Sequence, residues 1–196
     1  MVRWYHAIFT AYGFWLPNDP RGSWSTFVGS WELFKFGAAT KTTQRRSLAH
    51  DAHDGAERRA AKDALKYPPV RFDPTCRDAI AIGFEKACSE SAITLYACAI
   101  GYDHVHVVTA RHSKPIEQVV GQLKGRATQA MRAHGCHPLL RFVTSLSVTP
   151  PTLWAERCWS VYINDVEQLR AAIEYVEQHP AKEGLSTQTY PFVSPV

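Results

Sequence analysis

The 196-residue sequence lacks the features that mark several large classes of protein. It has no apolar run near the roughly 18 residues of a membrane span, so no membrane association is expected. Residues 1–6 contain no signal-peptide core or cleavage site, which favours a cytoplasmic protein. The five cysteines are scattered, odd in number and without CxxC spacing. They therefore predict neither a disulfide framework nor a zinc knuckle.

The excess of positive charge is concentrated in two blocks. The net charge is only +4, but residues 35–72 carry nine Lys or Arg against four Asp or Glu, and residues 111–142 carry six against one. Two basic blocks suit a polyanion such as nucleic acid. Two solvated helix faces explain the same charges equally well.

Hydrophobic periodicity and turn signals predict alternating strands and helices. The predicted strands are 3–11, 93–100, 104–110 and 158–163, and the predicted helices are 55–66, 74–90, 115–134 and 166–179, the last ending at Pro180. This order predicts an α+β fold with a ferredoxin-like βαββαβ sheet and helices on one face. A further C-terminal helix and a basic insert at about 30–72 complete a single domain spanning residues 1–196.

Two histidines in the third predicted strand form the first half of a candidate site. His104 and His106 are two residues apart, so their side chains project from one face of the strand. Neutral imidazole is a common metal ligand, and two of them make half of a divalent metal site. The alternative is that both histidines simply lie on a polar face of the sheet.

The last predicted helix carries Tyr175 and His179, which are four residues apart and share one helix face. If that face packs over the histidine strand, His179 completes a three-nitrogen site and the phenol lies beside the metal. A phenol with a pKa of about 10 is a poor nucleophile without help. A metal would help by polarising and orienting a phosphodiester. Alternatively, Tyr175 is partly buried by ordinary packing, and His179 has no ligand role but lies near the helix C-terminus, where a protonated imidazole is favourable.

Together these residues resemble the single-tyrosine HUH transposases, in particular the REP-associated tyrosine transposases and their insertion-sequence relatives. The similar segments follow one another in order along the chain: 15–22, 103–108, 123–126, 151–154 and 173–180. The His-Val-His triplet alone is weakly specific. Its combination with a Lys-Gly-Arg helix, a Leu-Trp segment and a final tyrosine-bearing helix is strongly specific.

The resemblance implies a metal-dependent single-stranded DNA endonuclease and strand transferase. In this family the paired histidines hold Mg or Mn, a polar side chain of the tyrosine helix completes the site, and the tyrosine takes the DNA 5′-phosphate. Carried across, His104 and His106 are ligands and Tyr175 is the nucleophile. Some relatives have glutamine four residues after the tyrosine. That position is His179 here, so we expect His179 as third ligand, Gln178 as the alternative, and a shift toward Mn.

Members of the family recognise a DNA hairpin beside a single-stranded cleavage site, which implies such DNA as the partner and a nucleoid-associated location. The candidate DNA contacts are Trp15, Arg21, Arg45, Arg46, Arg58, Arg59, Lys124 and Arg126. Lys124 and Arg126 stand out because their helix is expected to border the histidine strand.

Several alternatives stay open at the level of sequence. A domesticated protein could bind hairpin DNA without transposition activity, and a zinc hydrolase acting on small molecules is a weaker reading. The assembly is open between a monomer and a homodimer. So is the choice between Tyr175 serving its own histidine pair and serving that of a partner subunit.

Overall fold

A computed structural model describes residues 2–16, 31–37, 52, 54–144, 147 and 149–196. The described strands are β1 (Trp4–Thr10), β2 (Leu95–Ile100), β3 (His104–Ala110) and β4 (Trp159–Ile163). The described helices are α1 (Gly55–Asp63), α2 (Pro74–Ser91), α3 (Ile116–Ala133) and α4 (Val166–Lys182), with short 3-10 helices at Trp31–Phe36 and Leu140–Phe142. The predicted α+β class is confirmed.

The strands form one antiparallel sheet in the order β2-β3-β1-β4. Strands β1 and β3 lie at its centre, and their register places His6 opposite Val108 and Ile8 opposite His106. Because directly opposed residues project from the same face of a sheet, His6 and His106 share a face although 100 positions separate them.

Helices cover both faces of this sheet. Helices α2 and α3 pack against the face that carries Phe9, Val105 and Val107. Helix α4 packs against β2 and β3 on the opposite face, where Val108 and Val176 belong to a second apolar cluster. The alternation along β3 therefore points the valines at 105 and 107 into the main core and the histidines toward α4.

Helix ends follow local chemistry. The Asp73 carboxylate accepts a hydrogen bond from the Cys76 amide at the start of α2, and Asp165 accepts one from the Gln168 amide at the start of α4. The predicted end of the last helix at Pro180 is wrong, because α4 continues to Lys182 with Pro180 inside it. A proline is tolerated there because only two helical residues follow it, so the lost backbone hydrogen bond affects the final turn alone.

The described part of the predicted insert contributes to a small apolar cluster that is separate from the main core. Leu33, Phe36 and Ala61 bury against Leu16, which follows β1. Among the described residues, no helix has both the length and the apolar composition needed to cross a membrane.

Candidate active site

Strand β3 presents His104 and His106 to α4, as their spacing predicts. Both imidazoles are buried, and their ring centroids are 5.1 Å apart. The strand is held between β1 and β2, so its backbone fixes the direction of both side chains. Sites built on strands in the centre of a sheet are rigid, which suits a pair of ligands that must converge on one point.

Helix α4 brings His179 and Tyr175 of the same chain to this pair. The Nε2 atoms of His104 and His179 are 3.2 Å apart, and the ring centroids of His106 and His179 are 4.1 Å apart. The Tyr175 ring centroid lies 5.7 Å from that of His106. Tyr175 is 41% exposed, so part of the residue is open to a ligand approaching from solvent.

The three histidines are arranged so that they can hold a metal ion. One ligand nitrogen from each of His104, His106 and His179 lies within 4.8 Å of the other two. His104 Nδ1 is 3.0 Å from an Asp103 carboxylate oxygen and 3.7 Å from a Glu183 oxygen. A carboxylate on the far nitrogen is the usual support of a metal-binding histidine, since it fixes the ring and its tautomer. The donor set and its support therefore fit a divalent cation.

Burial favours the neutral form of His106 and His179. It is the main reason that the pKa of His179 falls from 6.5 to about 4, with a further contribution from the neighbouring His104. Burial, followed by the neighbouring His104 and His179, also lowers the pKa of His106 well below 6.5. A neutral imidazole has a free lone pair, so these rings are ready to ligate a metal at neutral pH.

The tyrosine is not activated by its protein surroundings alone. Partial burial raises the pKa of Tyr175 above 10, so the phenol carries its proton at neutral pH. The Lys182 ammonium lies 4.2 Å from the centroid of the Tyr175 ring. A cation in this position is attracted to the ring face, and the attraction increases when the phenol becomes a phenolate. Tyr175, His179 and Lys182 follow one another along one side of α4.

His6 is a further member of the cluster, and no sequence motif predicted it. Its Nε2 is 3.0 Å from His106 Nδ1, its side chain is buried, and its ring also contacts Tyr175 and Trp159. Burial lowers the pKa of His6 to about 4. The sequence contained one signal, namely a single histidine in an otherwise apolar and aromatic strand. Its partner could be found only from the pairing of β1 with β3.

The alternative third ligand, Gln178, lies outside the cluster. It is exposed, and its amide donates a hydrogen bond to Glu174 on the outer side of α4. The structure therefore brings His179, and not Gln178, to the histidine pair.

The basic residues of α3 do not lie beside the histidine cluster, although their helix was expected to border the histidine strand. Helix α3 covers the opposite face of the sheet from the histidines. The Lys124 ammonium donates hydrogen bonds to the carbonyl oxygens of Ala155 and Arg157, and Arg126 forms an ion pair with Glu90. Lys124 thus ties α3 to the segment before β4.

The other predicted DNA contacts lie on the first loop and in the insert. Trp15 is half-buried beside Phe14, whose ring contacts His104, so this loop borders the site. Arg58 is half-buried and Arg59 is exposed on α1. Arg21, Arg45 and Arg46 fall outside the described residues.

Two solved structures align with this chain at low sequence identity. A REP-associated tyrosine transposase bound to a REP hairpin aligns with a TM-score of 0.48 at 12% identity, over 97% of this chain and 74% of that one. A candidate transposase from Deinococcus radiodurans R1 aligns with a TM-score of 0.38 at 13% identity, over 95% of each chain. No curated protein matches the sequence.

A family model gives the decisive match. The model described as "Transposase IS200 like" matches residues 65–179, more than half of the chain. That segment includes β3 with its two histidines and most of α4, with Tyr175 and His179. The members of this family are enzymes that cleave and transfer DNA. The chain belongs to the IS200-like transposase family.

Proposed function

We propose that the protein is a metal-dependent endonuclease and strand transferase for single-stranded DNA, with Tyr175 as its nucleophile. The observation that carries the proposal is the position of the Tyr175 ring, 5.7 Å from the His106 ring within the same chain. Tyr175 is 41% exposed and lies beside three converging imidazoles. Its accessibility suits a reaction with a large substrate such as DNA.

His104, His106 and His179 would hold the metal, as the distances between their nitrogens allow. A bound divalent cation would polarise a phosphate oxygen and orient the phosphodiester as a Lewis acid. Of the two metals that the resemblance implies, three imidazole ligands favour Mn over Mg, because Mg prefers oxygen ligands. The carboxylate of Asp103 holds the His104 ring in the orientation that this role requires.

The covalent step is a transesterification at phosphorus. The Tyr175 hydroxyl oxygen forms a bond to the phosphorus atom and loses its proton to solvent. The bond between phosphorus and the 3′-oxygen of the neighbouring nucleotide breaks, and that oxygen takes up a proton and leaves as a 3′-hydroxyl. The protein is then joined to the 5′-phosphate of the DNA. Attack by another 3′-hydroxyl reverses the step and transfers the strand, with Tyr175 as leaving group.

The DNA substrate in this proposal is a hairpin with an adjacent single-stranded cleavage site, as the sequence resemblance implies. The half-buried Trp15 lies on a loop that reaches His104 through Phe14, so it is well placed to stack on an unpaired base near the site. Arg58 and Arg59 on α1 are further candidates for phosphate contact. Lys124 and Arg126 are less suited, because their charged groups already bind protein atoms on the opposite face.

A covalent-adduct assay tests the nucleophile. Wild type, Tyr175→Phe and Tyr162→Phe are incubated with Mn²⁺ and labelled single-stranded oligonucleotides that carry a hairpin, and adducts are separated on denaturing gels. Tyr162 is the matched control, because it is an exposed tyrosine on the edge strand β4. We expect adducts from wild type and Tyr162→Phe but none from Tyr175→Phe. Equal adducts from all three proteins would show that Tyr175 is not the nucleophile, and hairpin binding without cleavage by wild type would favour a domesticated binding protein.

A pair of substitutions on α4 tests the third ligand. His179→Ala removes a buried imidazole beside His104, whereas Gln178→Ala removes an exposed amide on the preceding residue. We expect the first variant to lose most Mn²⁺ binding and adduct formation and the second to retain both. The opposite pattern would identify Gln178 as the ligand and overturn the assignment of His179.

A further inference from the structure

His6 has no role in the reaction proposed above, yet it lies within hydrogen-bond distance of His106. Its Nε2 lies 3.0 Å from His106 Nδ1 in a hydrogen bond between two buried rings. We propose that His6 is a positioning residue, which accepts a hydrogen bond from His106 Nδ1 and so directs the lone pair of His106 Nε2 toward the metal. This inference rests on the proposed function, because it assigns a role at the same metal site.

The tautomers of the two rings decide which of them donates. A neutral imidazole carries one proton, on either Nδ1 or Nε2. If His6 donated from Nε2, then His106 would accept at Nδ1 and carry its own proton on Nε2, which would block ligation by that atom. If His106 donates from Nδ1, its Nε2 is free. The contact with His6 occupies Nδ1, so Nε2 is the nitrogen left to join His104 and His179. A ligand role for His106 therefore requires His6 to be the acceptor.

The two ligands on β3 receive this support in different ways. The Nδ1 of His104 faces the carboxylates of Asp103 and Glu183, whereas the Nδ1 of His106 faces the imidazole of His6. Hydrogen-bond partners on the far nitrogen hold ligand histidines in one tautomer and one orientation. His6 thus holds His106 in one tautomer and orientation, as Asp103 does for His104, but His6 adds no negative charge.

The surroundings of His6 hold its acceptor atom in place. Its backbone is fixed by the pairing of β1 with β3 on one side and with β4 on the other. Its ring packs against Trp159 at a centroid distance of 6.3 Å and against Tyr175 at 5.8 Å. A side chain held from three sides loses little further freedom when it orients His106.

Nitrogen-15 NMR of the metal-free protein tests the hydrogen bond directly, because a protonated imidazole nitrogen and a lone-pair nitrogen have distinct chemical shifts. Three variants accompany wild type: His6→Leu removes the acceptor, His6→Gln places a carbonyl oxygen the same number of bonds from the Cβ as Nε2, and His137→Leu removes a buried histidine elsewhere in the fold. We expect His106 to be protonated on Nδ1 in wild type, His6→Gln and His137→Leu, and to change tautomer in His6→Leu. A wild-type His106 protonated on Nε2 would overturn the inference.

Titration of the same four proteins with Mn²⁺ measures the effect on the metal. Loss of a supporting residue typically weakens metal affinity 10–100-fold. We expect His6→Leu to lose affinity in this range, and His6→Gln to recover most of it, while His137→Leu stays at the wild-type value. A merely structural role for His6 predicts instead that both His6 variants bind alike. If wild type and His6→Leu bind Mn²⁺ equally well, the role of His6 is refuted while the proposed metal site still stands. If wild type binds no Mn²⁺, the proposed metal site fails and the role of His6 fails with it.

Discussion

Acid should destabilise the metal-free protein through its buried histidines. Burial lowers the pKa of His6 from 6.5 to about 4, and it is the largest cause of the lowered pKa values of His106 and His179. Once the chain unfolds, these rings are exposed and titrate near 6.5. Between pH 6.5 and pH 4 the unfolded state therefore binds more protons than the folded state. Because stability rises with pH wherever this is so, the free energy of unfolding must fall as the pH is lowered through this range.

The size of the effect can be worked out for His6. The difference between 6.5 and about 4, at about 1.4 kcal/mol per pKa unit, makes about 3 kcal/mol of stability that is present at pH 7 and lost near pH 4. The groups that face His6 do not offset this loss. His106, Tyr175 and His179 lie around it, and Lys182 lies over the Tyr175 ring, while Asp103 and Glu183 face His104 instead. A loss of this size is a large fraction of the 5–15 kcal/mol that holds a typical domain folded.

Urea unfolding followed by tryptophan fluorescence measures this dependence. Wild type, His6→Gln and His134→Gln are unfolded with a chelator present at pH values from 7 to 4.5, where His134 is the control because it is exposed at the end of α3. The carboxylates titrate alike in all three proteins, so differences in slope report the substituted histidine. We expect wild type and His134→Gln to lose more stability than His6→Gln, by about 2–3 kcal/mol at pH 4.5. Equal slopes in wild type and His6→Gln, or stability that rises in acid, would refute the reasoning.

Three further predictions concern the metal, the packing and the lysine of α4. At a free concentration 100 times its Kd, Mn²⁺ should raise the free energy of unfolding by about 2.7 kcal/mol, and Mg²⁺ at the same concentration should raise it less; equal effects would contradict a three-imidazole site. In urea unfolding, Gly83→Ala should destabilise the fold by about 1–3 kcal/mol, because the new Cβ would lie 2.5 Å from the Ala127 Cα. Gly121→Ala on α3 is the control, because its new Cβ meets no atom within 4 Å, and it should stabilise the fold by up to about 1 kcal/mol. Lys182→Met should slow adduct formation about tenfold or more in single-turnover assays, because the ammonium 4.2 Å from the Tyr175 ring stabilises the phenolate. Lys182→Arg keeps a positive charge and should retain most of the rate. Equal rates in the two variants would exclude this role.

The parts of the fold that sequence reasoning predicted correctly are those with a local physical cause. Asp73 followed by Pro74 both caps and begins α2, and Asp165 caps α4, so these helices begin where their sequences require. The incorrect end at Pro180 has a local explanation as well. A proline prevents the hydrogen bond that its own nitrogen would make, but it does not prevent the next two residues from completing the last turn.

The errors and omissions concern contacts between distant parts of the chain. His6 belongs to the cluster only because β1 pairs with β3 in a register that opposes His6 to Val108. Nothing within ten residues of His6 contains that information. The position of Lys124 is similar, because the carbonyl groups that it contacts lie 31 and 33 residues away along the chain. Lys124 was predicted to contact DNA because its helix was expected to border the histidine strand, and in the fold its ammonium donates hydrogen bonds to two carbonyl oxygens.

The choice between His179 and Gln178 shows how a local rule and a long-range contact combine. Successive residues of an α-helix project about 100° apart, so neighbours such as Gln178 and His179 cannot both face the sheet. Tyr175 and His179, four positions apart, must share a side of α4, and that relation holds however the helix is placed. What the sequence did not show was the surface against which α4 packs. The apolar residues Leu169 and Val176 fix the rotation of α4 about its axis by burying against the sheet, and this turns His179 toward His104 and leaves Gln178 in solvent. A substitution that exposed this apolar stripe would thus disturb the metal site and the nucleophile together, although it touched neither.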